Sequence, residues 1–327
     1  MSLSPAAGQP GAGAPARAVT VVEVSPRDGL QNDPSDLPTA AKAELIARTA
    51  AAGLRRIEAT SFVSPKAVPR MADAEDLVAQ LRRRGDLEAV SLIGLVVNQR
   101  GVTRAAAAGV DEVNAVVIAS DTFSLRNQGE TTAASLAQLE DVVGAARAAG
   151  LGVSITIGAA FGCPFEGEVP LSRLVDVAGI ARRADPDEIT LADTIGVAVP
   201  ADVTARVTAI RAAVGPSTSL RAHFHNTRNT GMANVIAAVD AGVTALDASL
   251  GGIGGCPFAP AATGNIATED LAYLLGRSDV TTGLSLTRLI ASAAWLSEAL
   301  GHPIPGMLSK AGDFPQRQAR GRSRAPG

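Results

Sequence analysis

The chain predicts an α/β fold, a (β/α)8 or TIM barrel with an additional C-terminal helical segment. Three observations lead there. Eight strand-length apolar segments alternate with helical sequence over about 250 residues, the count and length of such a barrel. Several helical segments close on an Ala-Gly step just before the next strand, at Ala52-Gly53, Ala108-Gly109, Ala149-Gly150 and Ala241-Gly242. Glycine there supplies a left-handed C-cap at little steric cost. Hydrophobic residues make up 46% of the chain but aromatics only 3%, so Ala, Val, Leu and Ile build the core, as in buried parallel sheets. A doubly wound open sheet is the alternative, but no Gly-rich phosphate turn follows the first strand.

In chain order, Met1–Ala18 is rich in Ala, Gly and Pro without an apolar core, and is expected to be a disordered leader rather than a secretory signal. The barrel domain spans residues 19–311. Its expected strands are Thr20–Val24, Arg56–Ala59, Val90–Val96, Glu112–Ile118, Gly152–Ile157, Glu188–Leu191, Leu220–Phe224 and Ala245–Ser249. Expected helices between them include Thr39–Ala52, Ala72–Arg83, Thr132–Ala149, Leu171–Ala184, Ala201–Val214 and Met232–Ala241. Ser285–Leu300 reads as an extra helix packed on the barrel. Residues 312–327 carry Arg317, Arg320, Arg322 and Arg324 among Gly, Ser and Pro, a basic tail expected to be disordered.

Composition excludes some classes of function. A net charge of -3 leaves no basic surplus to neutralise phosphates, so nucleic acid is not the expected partner. No apolar run reaches the length of a membrane span. The 2 cysteines, Cys163 and Cys256, make no disulfide framework and point to a reducing, cytoplasmic setting.

In a (β/α)8 barrel the functional residues sit at the carboxyl ends of strands and in the loops that follow. The seventh strand runs Leu220-Arg-Ala-His223-Phe-His225, which holds two of the chain's 3 histidines. Alternation puts both on one face, with Leu220, Ala222 and Phe224 on the other. Neutral imidazoles are frequent ligands of divalent metals, so the pair reads either as half a metal site or as two polar residues sharing a strand face. After the first strand comes Arg27-Asp28-Gly29. Asp28 offers the hard oxygen a Mg²⁺- or Mn²⁺-type ion prefers. Arg27 offers fixed donors to a carboxylate or a developing enolate. An Asp-Gly turn with a surface arginine is the plain alternative.

The eighth strand enters Gly251-Gly-Ile-Gly-Gly-Cys256-Pro-Phe258, then Gly264-Asn265. Such glycine density marks a mobile loop or close backbone approach to a ligand: a phosphate site, or a lid presenting Cys256. An inert Cys256 is the alternative. Asn265 could complete a metal site through its amide oxygen. Glu58 and Asp193, at the ends of the second and sixth strands, read as supporting carboxylates or structural charges. Cys163 sits in Phe161-Gly-Cys-Pro-Phe-Glu-Gly167, with no physical argument for reactivity. His302, beside Pro303 and Pro305, reads as a loop histidine.

These segments together resemble the hydroxymethylglutaryl-CoA lyases, within the superfamily of metal-dependent lyase and Claisen-synthase barrels. The resemblance rests on Val24–Asn32, Thr60-Ser-Phe-Val-Ser-Pro-Lys66, Gly162–Gly167, Asp193-Thr-Ile-Gly196, His223-Phe-His225, Gly251–Asn265 and Ala267-Thr-Glu-Asp270. It covers Val19 to Gly301. The resemblance implies a divalent cation, Mg²⁺ or Mn²⁺, held by Asp28, His223, His225 and Asn265. It also implies cleavage of 3-hydroxy-3-methylglutaryl-CoA into acetoacetate and acetyl-CoA. By the same analogy Arg27 binds substrate and stabilises the enolate, Cys256 and His223 act in proton transfer, and Gln31 helps hold the substrate. Glu58 and Asp193 support, Lys66 is a candidate for CoA, and the assembly is a homodimer.

The chain departs from the family at Asn226-Thr-Arg228-Asn229-Thr230-Gly231, where many members carry Asp-Thr-Tyr-Gly-Gln. That leaves the metal in place but admits a homologous 3-hydroxy-3-alkylglutaryl-CoA as substrate. Two other readings are a Claisen-condensing synthase using acetyl-CoA and a 2-oxo acid, and a non-catalytic barrel that binds a CoA ester.

Overall fold

The computed structural model describes residues 17–255 and 264–315. Eight parallel strands close into a barrel in chain order: β1 (Thr20–Glu23), β2 (Arg56–Ser61), β3 (Ser91–Val96), β4 (Glu112–Ile118), β5 (Gly152–Gly158), β6 (Glu188–Asp193), β7 (Ser219–Phe224) and β8 (Ala245–Ala248). β8 pairs back onto β1 through Thr20 opposite Ala245 and Val22 opposite Asp247. The architecture is the TIM barrel that the sequence predicts, and the four Ala-Gly glycines take φ of 112°, 90°, 75° and 92°.

Several boundaries differ. β2 and β6 each run two residues further than expected, so Ser61 and Asp193 end strands rather than starting loops. The expected helix 132–149 is divided at Gln138 into Thr132–Ala137 and Leu139–Ala148, and the Gln138 amide reaches back to Glu130 Oε2 at 2.6 Å. The expected leader gives up its last two residues. Arg17–Ala18 forms a short parallel strand with Val280–Thr281, because the chain there finds backbone partners, including Val19 N–H to Thr281 O at 3.0 Å. At the other end, Phe314 of the expected tail lies under the Arg277 guanidinium, 4.6 Å away. Residues 1–16 and 316–327, the rest of both tails, fall outside the described residues.

The helix Leu286–Leu300 packs on Thr39–Ala51 and Thr268–Arg277, with Arg48 over the Trp295 ring at 4.6 Å. Among the described residues no helix is long and apolar enough to cross a membrane.

Alternation sorts the strands into two environments. Outward residues such as Ile57, Val113, Ile155, Ile189, Leu220 and Leu246 join one large apolar layer beneath the helices. The interior differs. Val22, Val24 and Ile93 form a small separate apolar patch, and many remaining inward positions are polar and buried. At its floor Arg56 bridges Glu112 (Nη2 to Oε1, 2.7 Å) and Glu188 (Nη2 to Oε1, 3.0 Å). These three come from alternate strands, as the layers of a closed barrel do. Above them Arg221, fully buried, donates from Nε to Thr190 Oγ1 at 2.7 Å and from Nη2 to Ser154 Oγ at 3.2 Å. Its Nε lies 3.2 Å from Glu188 Oε1 and 3.5 Å from Asp247 Oδ1. A ladder of opposite charges therefore climbs the interior from Arg56 to Asp247.

Removing one member of such a ladder leaves partners buried and uncompensated. Arg56→Met is expected to cost about 3 kcal/mol of stability. In urea titration this appears as a lower midpoint with an unchanged slope.

Candidate active site

Directly after β1 the chain makes one wide turn, Ser25–Gly29, in which Val24 O accepts from Asp28 N at 2.8 Å and from Gly29 N at 3.2 Å. Turns of this i→i+5 kind cluster at functional sites because they re-aim side chains. Pro26 starts the turn, where a missing N–H costs nothing. Gly29 lets it sit against the loop after β8: a Cβ there would come within 2.8 Å of Ile253 and 3.0 Å of Ser249 Oγ. The turn holds Arg27 and Asp28 at the barrel mouth.

Arg27 is pinned by two carboxylates. Its Nε and Nη2 both bond Glu58 Oε1, and its Nη1 donates to Asp28 Oδ1 at 2.8 Å. Asn114, on β4, donates to the other oxygen of Glu58 at 2.8 Å, and accepts from Thr156 Oγ1 at 2.9 Å. Three of the five guanidinium N–H groups are thereby occupied, and one on each Nη remains.

His223 and His225 point to the mouth from the end of β7, with their Nε2 atoms 3.1 Å apart. Asp247 stands opposite His223 in the β7–β8 register and holds its Nδ1 at 3.1 Å. A carboxylate on one imidazole nitrogen keeps a proton there and turns the other nitrogen outward. Asn265 reaches the site because its backbone forms an antiparallel bridge with His225, flanked by Asn226 N to Gly264 O at 3.1 Å. Its amide Nδ2 donates to Asp28 Oδ2 at 2.7 Å and to Ile253 O at 3.0 Å. Both partners are acceptors, so the amide orientation is forced. Its Oδ1 is left buried with no hydrogen-bond partner.

Electrostatics follow from this crowding. Burial alone would raise the Asp28 pKa, but Arg27, the two imidazoles and the Asn265 amide bring it down to about 2. Burial also presses on His223, yet the hydrogen bond and charge of Asp247, with Asp28 beyond, carry it above its ordinary value. Burial and the neighbouring His223 push His225 down to about 4. The facing nitrogens, 3.1 Å apart, are at hydrogen-bond distance, and His223 rather than His225 is the favoured site for a proton between them. Ligand atoms of Asp28, His223 and His225 all lie within 4.8 Å of one another. Two imidazole nitrogens and a carboxylate oxygen, with the buried Asn265 amide beside them, are a donor set that fits a hard to borderline divalent cation.

The other residues singled out in the sequence have varied positions. Asp193 is buried, and its two oxygens accept from Val197 N at 2.9 Å and Ala198 N at 3.0 Å, tying down the loop after β6. Gln31 is half-buried one turn beyond Arg27, and Lys66 is exposed in the loop after β2. Cys256 lies outside the described residues. Cys163 is buried, its sulfur accepting from Glu166 N at 3.3 Å. His302 Nε2 bonds Asp33 Oδ1 at 3.0 Å, joining the loop after β1 to the C-terminal segment. Arg228, at the point of departure, donates from Nη1 to Ile195 O at 3.0 Å and Gly196 O at 2.9 Å, stapling the loops after β6 and β7.

Sequence reasoning missed Asp247 and Asn114, although each is a polar residue at an inward position of a largely apolar strand. It also missed two buried carboxylates under the glycine loop. Glu23 Oε1 accepts from Leu250 N at 2.9 Å, and Glu269 Oε2 from Gly251 N at 2.9 Å. Burial raises Glu269 to about 8.

A cation bound by both facing nitrogens competes with protonation of His223. Metal affinity is therefore expected to fall as pH drops through the His223 pKa, which lies above 6.5. Calorimetry in buffers of different ionisation enthalpy would register the proton release below that pKa. Asp247→Asn should weaken metal binding about tenfold or more.

A profile of the HMGL-like family matches residues 18–295. The chain is 47% identical over 307 residues to the (R)-citramalyl-CoA lyase of Chloroflexus aurantiacus, covering 91% of this chain and 96% of that one. It is 39% identical over 287 residues to the hydroxymethylglutaryl-CoA lyase YngG of Bacillus subtilis, covering 88% of this chain and 95% of the other. Among solved structures, an HMG-CoA lyase from Acinetobacter baumannii in complex with coenzyme A and 3-methylmalate superposes with a TM-score of 0.86 at 39% identity. That match covers 94% of this chain and 100% of the other. The chain belongs to the HMGL-like family, as a carbon–carbon lyase.

Proposed function

We propose that the protein cleaves 3-hydroxy-3-methylglutaryl-CoA, or a close 3-hydroxy-3-alkyl homologue, into acetyl-CoA and acetoacetate or its homologue. The observation that carries this reading is the adjacency of two functions at the mouth. Ligand atoms of Asp28, His223 and His225 converge there with the Asn265 amide against Asp28, and a guanidinium with unused N–H groups is locked beside them. A divalent cation on Asp28, His223, His225 and Asn265 would supply Lewis acidity to the carbinol oxygen and its neighbouring carboxylate. The chain's own groups do the rest. The C3 hydroxyl gives up its proton to a base, its electrons form the ketone, and the C2–C3 pair moves into a thioester enolate. The free N–H groups of Arg27 are the donors for that enolate oxygen. Cys256, on its glycine loop, is assigned the proton delivered to C2, which completes acetyl-CoA. Gln31 helps hold the acyl group, and Glu58 and Asp193 act in support.

His223 has a single nitrogen for both tasks that the family resemblance implies. With Nδ1 committed to Asp247, Nε2 either ligates or carries a proton, and we assign it to the ligand role during bond cleavage.

A second reading is (R)-citramalyl-CoA as substrate. The Chloroflexus relative supports it. That thioester also carries a methylated tertiary alcohol at C3, with its carboxylate one methylene closer, so the same chemistry would yield acetyl-CoA and pyruvate.

A panel of hydroxymethylglutaryl-CoA, its 3-ethyl homologue and citramalyl-CoA, with Mg²⁺ or Mn²⁺, tests the reading by the oxo acid released. Acetoacetate as the best product supports the first substrate and pyruvate the second. CoA release from acetyl-CoA and 2-oxo acids, without cleavage of any panel member, would sink both. Arg27→Met is expected to lower kcat by about a hundredfold or more while calorimetric Mn²⁺ affinity stays near wild type.

A further inference from the structure

We propose that Asn114, anchored by Thr156, is a positioning residue for this reaction, setting the orientation of Arg27 through Glu58. The inference rests on the role given to Arg27 above.

The pairing of Arg27 with Glu58 is unusual in one respect. An arginine and a carboxylate left to themselves favour a fork, with each nitrogen facing its own oxygen. Here Nε and Nη2 share the single oxygen Oε1. The second oxygen is taken: Asn114 Nδ2 donates to it at 2.8 Å. The Asn114 amide cannot turn away, because its own oxygen accepts from the Thr156 hydroxyl at 2.9 Å. Asn114 is 2% exposed and Glu58 1%, so no solvent competes for that oxygen. The chain Thr156–Asn114–Glu58–Arg27 thus runs from β5 through β4 and β2 to the turn after β1, and each link fixes the next.

Without the amide, Oε2 would be buried and unpaired, and its nearest remedy is to rotate onto Arg27 as the second tine of a fork. The guanidinium would turn with it, and its two free N–H groups would leave the direction they now face. A shift of about 1 Å at a reacting centre can cost on the order of a hundredfold in rate. The ligand set stays intact, since Asn114 touches none of Asp28, His223, His225 or Asn265.

The test uses the full chain loaded with Mn²⁺ and the best substrate of the panel. Asn114→Ala is expected to lower kcat by about tenfold or more, with KM within about twofold and Mn²⁺ affinity by calorimetry unchanged. Thr156→Val, which is isosteric and keeps the fold if Asn114→Ala does not, should show a smaller loss of the same kind. In a Glu58→Gln background, Asn114→Ala should add no further loss, because both changes break one chain. Equal losses of metal affinity and turnover, or a loss that adds fully to Glu58→Gln, would overturn the proposal, as would wild-type kcat in both single variants. Arg27→Met separates the two levels. Wild-type turnover there removes Arg27 from the chemistry and takes both readings down. A severe loss there with wild-type turnover in Asn114→Ala overturns the positioning role alone.

Discussion

The charged column inside the barrel is the constraint on which the site depends. Arg221 is fully buried and within 3.2 Å of Glu188 and 3.5 Å of Asp247, so no member of the column can move without stranding a charge. Asp247 is its upper end, and it is also the partner of His223 Nδ1. The direction in which His223 presents Nε2 is therefore set by ion pairs deep in the barrel rather than by anything at the mouth. A barrel interior packed with branched aliphatic layers would be simpler to stabilise. This one spends its interior on holding two imidazoles and a guanidinium in place.

The mouth itself is assembled from short-range compromises. Asp28 serves Arg27 with one oxygen and Asn265 with the other, at 2.8 and 2.7 Å. That double use couples the anion-facing half of the site to the ligand half through one carboxylate. The loop after β8 crosses directly over it: a Cβ on Gly254, whose φ is 106°, would meet Asn265 Nδ2 at 2.5 Å and Asp28 O at 3.1 Å. Glycine there is what allows a backbone to lie on the ligands. Glu23 and Glu269 hold the start of the same loop through its backbone N–H groups, so its departure point is tied to the barrel.

Asp193 and Arg228 both anchor loops at the barrel mouth. Asp193 gives both oxygens to backbone N–H groups of its own loop, and its burial raises its pKa. Any support it lends acts through the placement of residues 194–198. Arg228 likewise spends Nη1 on two carbonyls of the loop after β6. At the position where this chain departs from the lyase pattern, the side chain therefore joins two mouth loops as well as placing a charge beside them.

Much of this was legible in the residues alone, and the division has a physical origin. Strand and helix positions follow from local periodicity, and the closing Ala-Gly steps from the conformational freedom of one residue, so both could be read in short windows. The shared face of His223 and His225 follows from the same two-residue repeat. The family motifs placed Arg27, Asp28 and Asn265 together because their spacing is a pattern of known barrels. Tertiary structure alone decided which inward residue faces which. Asp247 meets His223 because β7 and β8 pair in one register, and Asn114 meets Glu58 because β2 and β4, on either side of β3, turn these residues into the same barrel interior. Those pairings depend on barrel closure, which no local window contains, and they decide how the legible residues are aimed.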